Sequence, residues 1–202
     1  APSSGTNFTV GHGLGIAPDV IFSKSRESSQ YWAVYHSSVV DSNRKYLQLN
    51  STNDLRTSGG DMWGAALPTS SVIGLSSANA MVASQDFVCY CFSEVAGYSK
   101  FGSYEGNQNA DGTFVFLGFT PAWIMIKNAD NSSNRNWCII DATRTTFNKS
   151  ASAEVLFAND SQSESVANNN YGQFASKPAV DILSNGFKVR EGETSAYTQL
   201  NR

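Results

Sequence analysis

Two stretches of this chain are near copies of one another. Gly15-Ile16-Ala17-Pro18-Asp19-Val20-Ile21-Phe22-Ser23-Lys24 answers Gly118-Phe119-Thr120-Pro121-Ala122-Trp123-Ile124-Met125-Ile126-Lys127, with the prolines and the lysines each 103 positions apart (121 − 18 and 127 − 24). Further on, Tyr31-Trp32 answers Asn136-Trp137 at a shift of 105 (137 − 32), and Asn50 answers Asn159 at a shift of 109 (159 − 50). An offset that grows along the chain means small insertions in loops between strands that keep their places. Solenoid repeats run roughly 20–50 residues, so a period near 100 describes two sibling units, each the size of a small β domain. The expected boundaries are 1–96 and 97–202.

The local pattern is that of strands. Short apolar runs rich in β-branched and aromatic residues recur at 19–24, 31–35, 45–49, 71–75 and 86–92. They recur again at 113–117, 123–127, 137–140, 180–183 and 187–190. Most are four to six residues long and bounded by Gly, Pro, Asn, Asp or Ser, as strands and turns are. Asn185-Gly186 between the last two runs reads as a hairpin turn, because both residues tolerate positive φ. The one stretch with any helical character is 151–157, and it reads equally well as a strand. The fold class expected is all-β: two related antiparallel β-sandwich-like units in tandem. The second unit lacks a counterpart of the apolar run Phe87-Val88-Cys89-Tyr90-Cys91-Phe92 after Tyr197. That strand is expected either beyond Arg202 or from another chain, making this a fragment of a longer polypeptide.

Only 15% of residues are charged, against roughly 25% in an average soluble domain. Asn, Ser, Thr and Gly take their place, and a surface of neutral hydrogen-bonding groups suits sugars better than phosphate backbones. Net charge is −3 with no basic stripe, which argues against nucleic-acid binding. No apolar run approaches the roughly 20 residues that span a bilayer. Cys89 and Cys91 fall on one face of a strand and Cys138 stands apart, so free core thiols are expected rather than a disulfide framework or a zinc site.

Candidate chemistry is sparse. His12 and His36 carry no nucleophile motif nearby and read as structural or surface residues. Asp61, Asp86, Glu94, Asp141, Asp181 and Glu191 are the carboxylates from which a glycosidase pair would have to come, and their scatter favours none. The oxygen-rich runs 130–134 and 159–161 lack the spacing of a calcium loop. No catalytic residue, metal or cofactor is therefore assigned. Trp32 and Trp137 occupy equivalent strand positions and are expected in the core. Trp63 differs, since Gly60-Asp61-Met62-Trp63-Gly64 reads as a polar loop. An aromatic ring there, with Asp61 beside it, would offer a sugar-stacking platform. Tyr171 and Asn169, in Asn168-Asn169-Asn170-Tyr171, are the matching candidates in the second unit.

The order Gly-x-x-Pro, apolar strand ending in Lys, Trp strand, Asn-rich stretch and Ser184-Asn185-Gly186-Phe187 hairpin resembles a repeat of tailed-bacteriophage tail-fibre and other virion proteins. Cys91-Phe92-Ser93-Glu94 resembles that repeat's closing strand, and residues 97–107 resemble its link between units. The resemblance implies a virion protein made in the bacterial cytoplasm and assembled as a homotrimer with other tail proteins. Its expected role is non-catalytic binding to a host-surface glycan or protein. The alternatives are a structural shaft or connector, or an accessory module of a capsule depolymerase.

Overall fold

The computed structural model describes residues 6–76, 84–109, 111–130, 135–144, 155–161, 180–190 and 200. Among these residues every regular element is a β-strand, and all pairings between strands are antiparallel. The chain divides into two compact units. One holds Ala1–Ser51, Leu55–Val95 and Ser99–Ser103; the other holds Thr52–Asp54, Ala96–Tyr98 and Tyr104–Arg202.

The first unit contains β1 (Asn7–Gly11), β2 (Val20–Ser25), β3 (Ala33–His36), β4 (Lys45–Gln48), β5 (Arg56–Thr57), β6 (Val72–Ser76) and β7 (Phe87–Phe92). A five-stranded sheet runs β5-β4-β3-β2-β7, and β1 pairs with β6 in a second, two-stranded sheet. Alternation along the strands explains how the two sheets join. Ile21, Ala33, Tyr35 and Tyr46 point inward from the larger sheet and meet Ile73 and Leu75 from the smaller one, with Met62 and Trp63 between strands. Burying each large apolar side chain contributes about 1.5–3 kcal/mol, so the inward face of each strand sets its register.

The second unit contains β8 (Phe114–Phe116), β9 (Trp123–Ile126), β10 (Cys138–Asp141), β11 (Leu156–Phe157), β12 (Val180–Leu183) and β13 (Gly186–Val189). Two three-stranded sheets, β11-β10-β9 and β12-β13-β8, enclose Ile124, Ile126, Cys138, Ile140 and Phe157 from one side and Val180, Ile182, Phe187 and Val189 from the other. The molecule is thus two antiparallel β-sandwich-like units in tandem.

Matching hydrogen bonds show the duplication at atomic detail. Ser37 N–H donates to Asp19 O as Ala142 N–H does to Ala122 O, and Leu49 N–H donates to Trp32 O as Ala158 N–H does to Trp137 O. Trp32 N–H donates to Asn50 Oδ1 at 3.0 Å, and Trp137 N–H to Asn159 Oδ1 at 2.8 Å. Lys24 Nζ donates to the Ser25 and Ser28 carbonyls, and Lys127 Nζ to the Asn128 and Arg135 carbonyls. Each lysine therefore binds main-chain carbonyls just beyond its strand. Gly15 and Gly118 share a left-handed backbone, φ 77° and 83°, which lets the chain turn before the repeated proline at little steric cost.

Two strands, β1 and β5, escaped the sequence pattern. β1 is largely exposed, so it lacks a sharp apolar alternation, and β5 is only two residues long. Leu156–Phe157 forms a strand, while 151–154 lie outside the described residues. All three cysteines are free, with Cys138 buried.

Candidate functional site

Trp63 does not form the expected platform, because it is fully buried. Its local backbone explains the inward turn. The Asn43 carbonyl accepts the N–H groups of both Met62 and Trp63, at 2.7 and 2.9 Å, and Asn43 Nδ2 donates to Gly64 O at 2.6 Å. Once inside, the indole Nε1–H finds Lys45 O at 2.8 Å, and the ring meets Tyr35 edge-on at 5.6 Å. A large aromatic with its one polar group satisfied is stable in a core. Glycines bracketing the segment suggested a loop, and the distant acceptors were invisible in the sequence. Asp61 is half-buried and accepts Asn7 Nδ2 at 2.8 Å. Tyr171 and Asn169 lie outside the described residues.

The remaining candidates have local roles. His12 contacts Thr69 O and accepts Leu14 N–H; His36 accepts Ser38 N–H at 3.3 Å. Burial holds the His36 imidazole below its ordinary range, partly offset by nearby Asp19. Asp141 occupies the position equivalent to His36 and accepts Thr143 N–H at 2.7 Å. That bond pulls its carboxyl below the usual carboxylate range. Glu94 pairs with Lys100, and Asp181 with Arg190 at 2.6 Å. Asp86 immediately precedes β7, and Glu191 lies outside the described residues. Among the described residues no group of three or more His, Cys, Asp or Glu side chains converges as a metal site would.

What the structure does assemble is an aromatic row on the outward face of β2 and β7. Phe22 lies opposite Tyr90 in the ladder. Trp32 stacks on Tyr90 with centroids 6.4 Å apart, and Phe22 meets Phe92 edge-on at 6.0 Å. Tyr90 and Phe92 are 49% and 44% exposed, while Phe22 and Trp32 are half-buried. The alternation of β7 produces this arrangement. Phe87, Cys89 and Cys91 pack toward the core, so Val88, Tyr90 and Phe92 face outward. The cue was already present in Phe87-Val88-Cys89-Tyr90-Cys91-Phe92: once both thiols face one way, Tyr90 and Phe92 must face the other. Trp32, expected in the core, belongs to this surface, whereas its counterpart Trp137 is buried.

Behind β7 lies a cleft of about 450 Å³ between the two sheets, lined by Phe8, Val10, Ile73, Leu75, Phe87, Cys89 and Cys91, with His12 and Asp86 adding polarity. Burial raises both thiols above their ordinary range, Cys89 partly offset by its bond to Ser23 and Cys91 further raised by Cys89. Neutral thiols are poor nucleophiles, and here they act as small apolar wall.

Sequence comparison places these features in a family. Residues 2–199 match DUF7483, described as a domain of unknown function. The chain belongs to that family. No curated protein and no solved structure matches it. The DUF7483 match spans both β units, so the duplicated pair lies within one family domain. The aromatic row and the cleft are thus features of a DUF7483 chain, and their chemistry is read from the residues themselves.

Proposed function

We propose that this chain is a segment of a tailed-phage tail fibre that binds the host bacterial surface without catalysis. The observation that supports it most is the aromatic row of Phe22, Trp32, Tyr90 and Phe92, two of whose rings are nearly half exposed. Ring faces stack on the apolar faces of sugars, and the tyrosine hydroxyl adds a hydrogen-bonding tip. The sparse charge of the chain favours a neutral glycan over a polyanion as the receptor. Each contact of this kind is weak, and presentation of several copies on a homotrimeric fibre raises avidity without new contacts.

A connector within the fibre is the rival reading. It is favoured by Phe92, which brings apolar surface and no polar handle. In that case another virion protein covers the row.

Fluorescently labelled chain, incubated with host and non-host bacteria, separates the two. Adhesion requires saturable, host-restricted binding that blocks phage adsorption, and Tyr90→Ala with Phe92→Ser should weaken it roughly tenfold or more, as loss of a stacking anchor does. Unchanged binding by that folded double variant would remove the aromatic row from the receptor site. A folded wild-type chain that binds no cells would favour the connector.

A further inference from the structure

The two units differ at one edge. In the first, β2 is paired along its whole length with β7, from Val20 opposite Phe92 to Ser25 opposite Phe87. In the second, β9 is the counterpart of β2, yet among the described residues it ends its sheet in the order β11-β10-β9. Ala142 N–H donates to Ala122 O. In the antiparallel ladder of β9 with β10, this turns the backbone groups of Ile124 and Ile126 toward β10. Those of Trp123 and Met125 face away, with no ladder partner among the described residues.

We infer that this edge of β9 accepts an antiparallel strand of the Phe87–Phe92 kind, supplied by a partner polypeptide segment. This inference is independent of the receptor role proposed above.

The chemistry of the edge supports an acceptor. Open edges are normally blunted by charge, proline or a bulge, because unpaired backbone groups recruit other chains. Trp123-Ile124-Met125-Ile126 has neither charge nor proline, and Trp123 is 55% exposed. The inward side chains of β9 are buried, though slightly less so than their counterparts on β2. Ile21 is 0% exposed beside β7, while its counterpart Ile124 is 6% exposed; Ser23 is 2% exposed and its counterpart Ile126 8%.

The same comparison specifies the occupant. It is an extended, uncharged segment whose outward positions carry branched or aromatic side chains, as Val88, Tyr90 and Phe92 do. Its inward positions must be small. Cys89 lies opposite Ser23 and Cys91 opposite Ile21; at β9 the first of these positions faces the bulkier Ile126, leaving room for Cys, Ser or Ala but not a ring. Main-chain hydrogen bonds supply the attraction and side-chain size the selectivity, as in other strand additions.

The test uses a synthetic peptide of residues 86–94, with Cys89→Ser and Cys91→Ser to prevent oxidation, added to the full chain. Amide hydrogen exchange is read by NMR at Trp123 and Met125. The expected result is saturable binding that slows exchange at both amides roughly tenfold or more. Two N-methylated peptides decide whether backbone pairing is responsible. In the first unit Arg26 N–H donates to Asp86 O, so the amides of Val88, Tyr90 and Phe92 face β2. Methylating those three amides should abolish protection, whereas methylating the amides at positions 87, 89 and 91 should leave it. No slowing at about 1 mM peptide, a concentration that detects even weak binding, would overturn the inference. Equal protection by both methylated peptides would overturn it too, by showing apolar adhesion without a ladder.

Discussion

Asn50 and Asn159 do the same work in different surroundings. Each side-chain oxygen accepts the amide of the strand-entry tryptophan, Trp32 or Trp137. Asn159 is half-buried and also donates to Asn136 Oδ1 at 2.7 Å, whereas Asn50 is exposed. A buried amide stripped of its acceptor costs about 1–3 kcal/mol, while water replaces a lost acceptor at the surface. Asn159→Ala should therefore lower unfolding free energy by about 1–3 kcal/mol and Asn50→Ala by less than about 1 kcal/mol, as urea denaturation would report. Lys127 carries the clearest pH signature. Burial pulls its ammonium down to about 8 from its ordinary value of 10.5. Between those values the unfolded chain holds a proton that the folded chain has released, so stability rises with pH across that window. The penalty is fully present below about pH 8. Lys127→Met should flatten that rise, which paired urea titrations at pH 8 and 10 would detect.

At the scale of elements, the hairpin of β12 and β13 shows a correct reading with the wrong cause. Asn185-Gly186 suggested a turn through its tolerance of positive φ. The turn residues are instead Ser184 and Asn185, and neither Asn185 nor Gly186 is among the residues with positive φ. Glycine is required at 186 because a Cβ there would collide with the Val115 carbonyl of neighbouring β8. Asn185 O also accepts the N–H groups of Leu117 and Gly118 at 2.9 and 3.1 Å. Gly186→Ala should thus force β13 from β8 and cost about 1–3 kcal/mol, the usual range for overpacking. A variant as stable as the parent by thermal denaturation would show that the ladder shifts freely. Glycine at 74 follows the same logic, its missing Cβ leaving space for Trp63 O. Close approach between strands distant in sequence leaves no mark in a local pattern.

For the molecule as a whole, a repeated unit carries two different outer surfaces. One presents an aromatic row on β2 and β7, and the other presents an edge of β9 that has no ladder partner among the described residues. With a net charge of −3 over 202 residues, attachment through stacked rings should depend little on salt. Host binding in the cell assay should therefore change less than about threefold between about 50 and 500 mM salt, since screening weakens only charge-mediated contacts. A steep loss with salt would assign recognition to the charged residues instead.

The all-β class and the duplication were legible from the chain alone, because strand alternation and a repeated Pro, Lys, Trp and Asn are local or periodic signals. Even the outward placement of Tyr90 and Phe92 follows from alternation against two cysteines. Tertiary structure alone decided the depth of each aromatic. Trp63 turned inward because Asn43 and Lys45 offered acceptors about twenty positions away, and Trp32 is half-buried with its indole stacked on Tyr90 of β7. Sequence pattern records which face of a strand a side chain takes. Whether that face is covered depends on neighbours brought close only by folding.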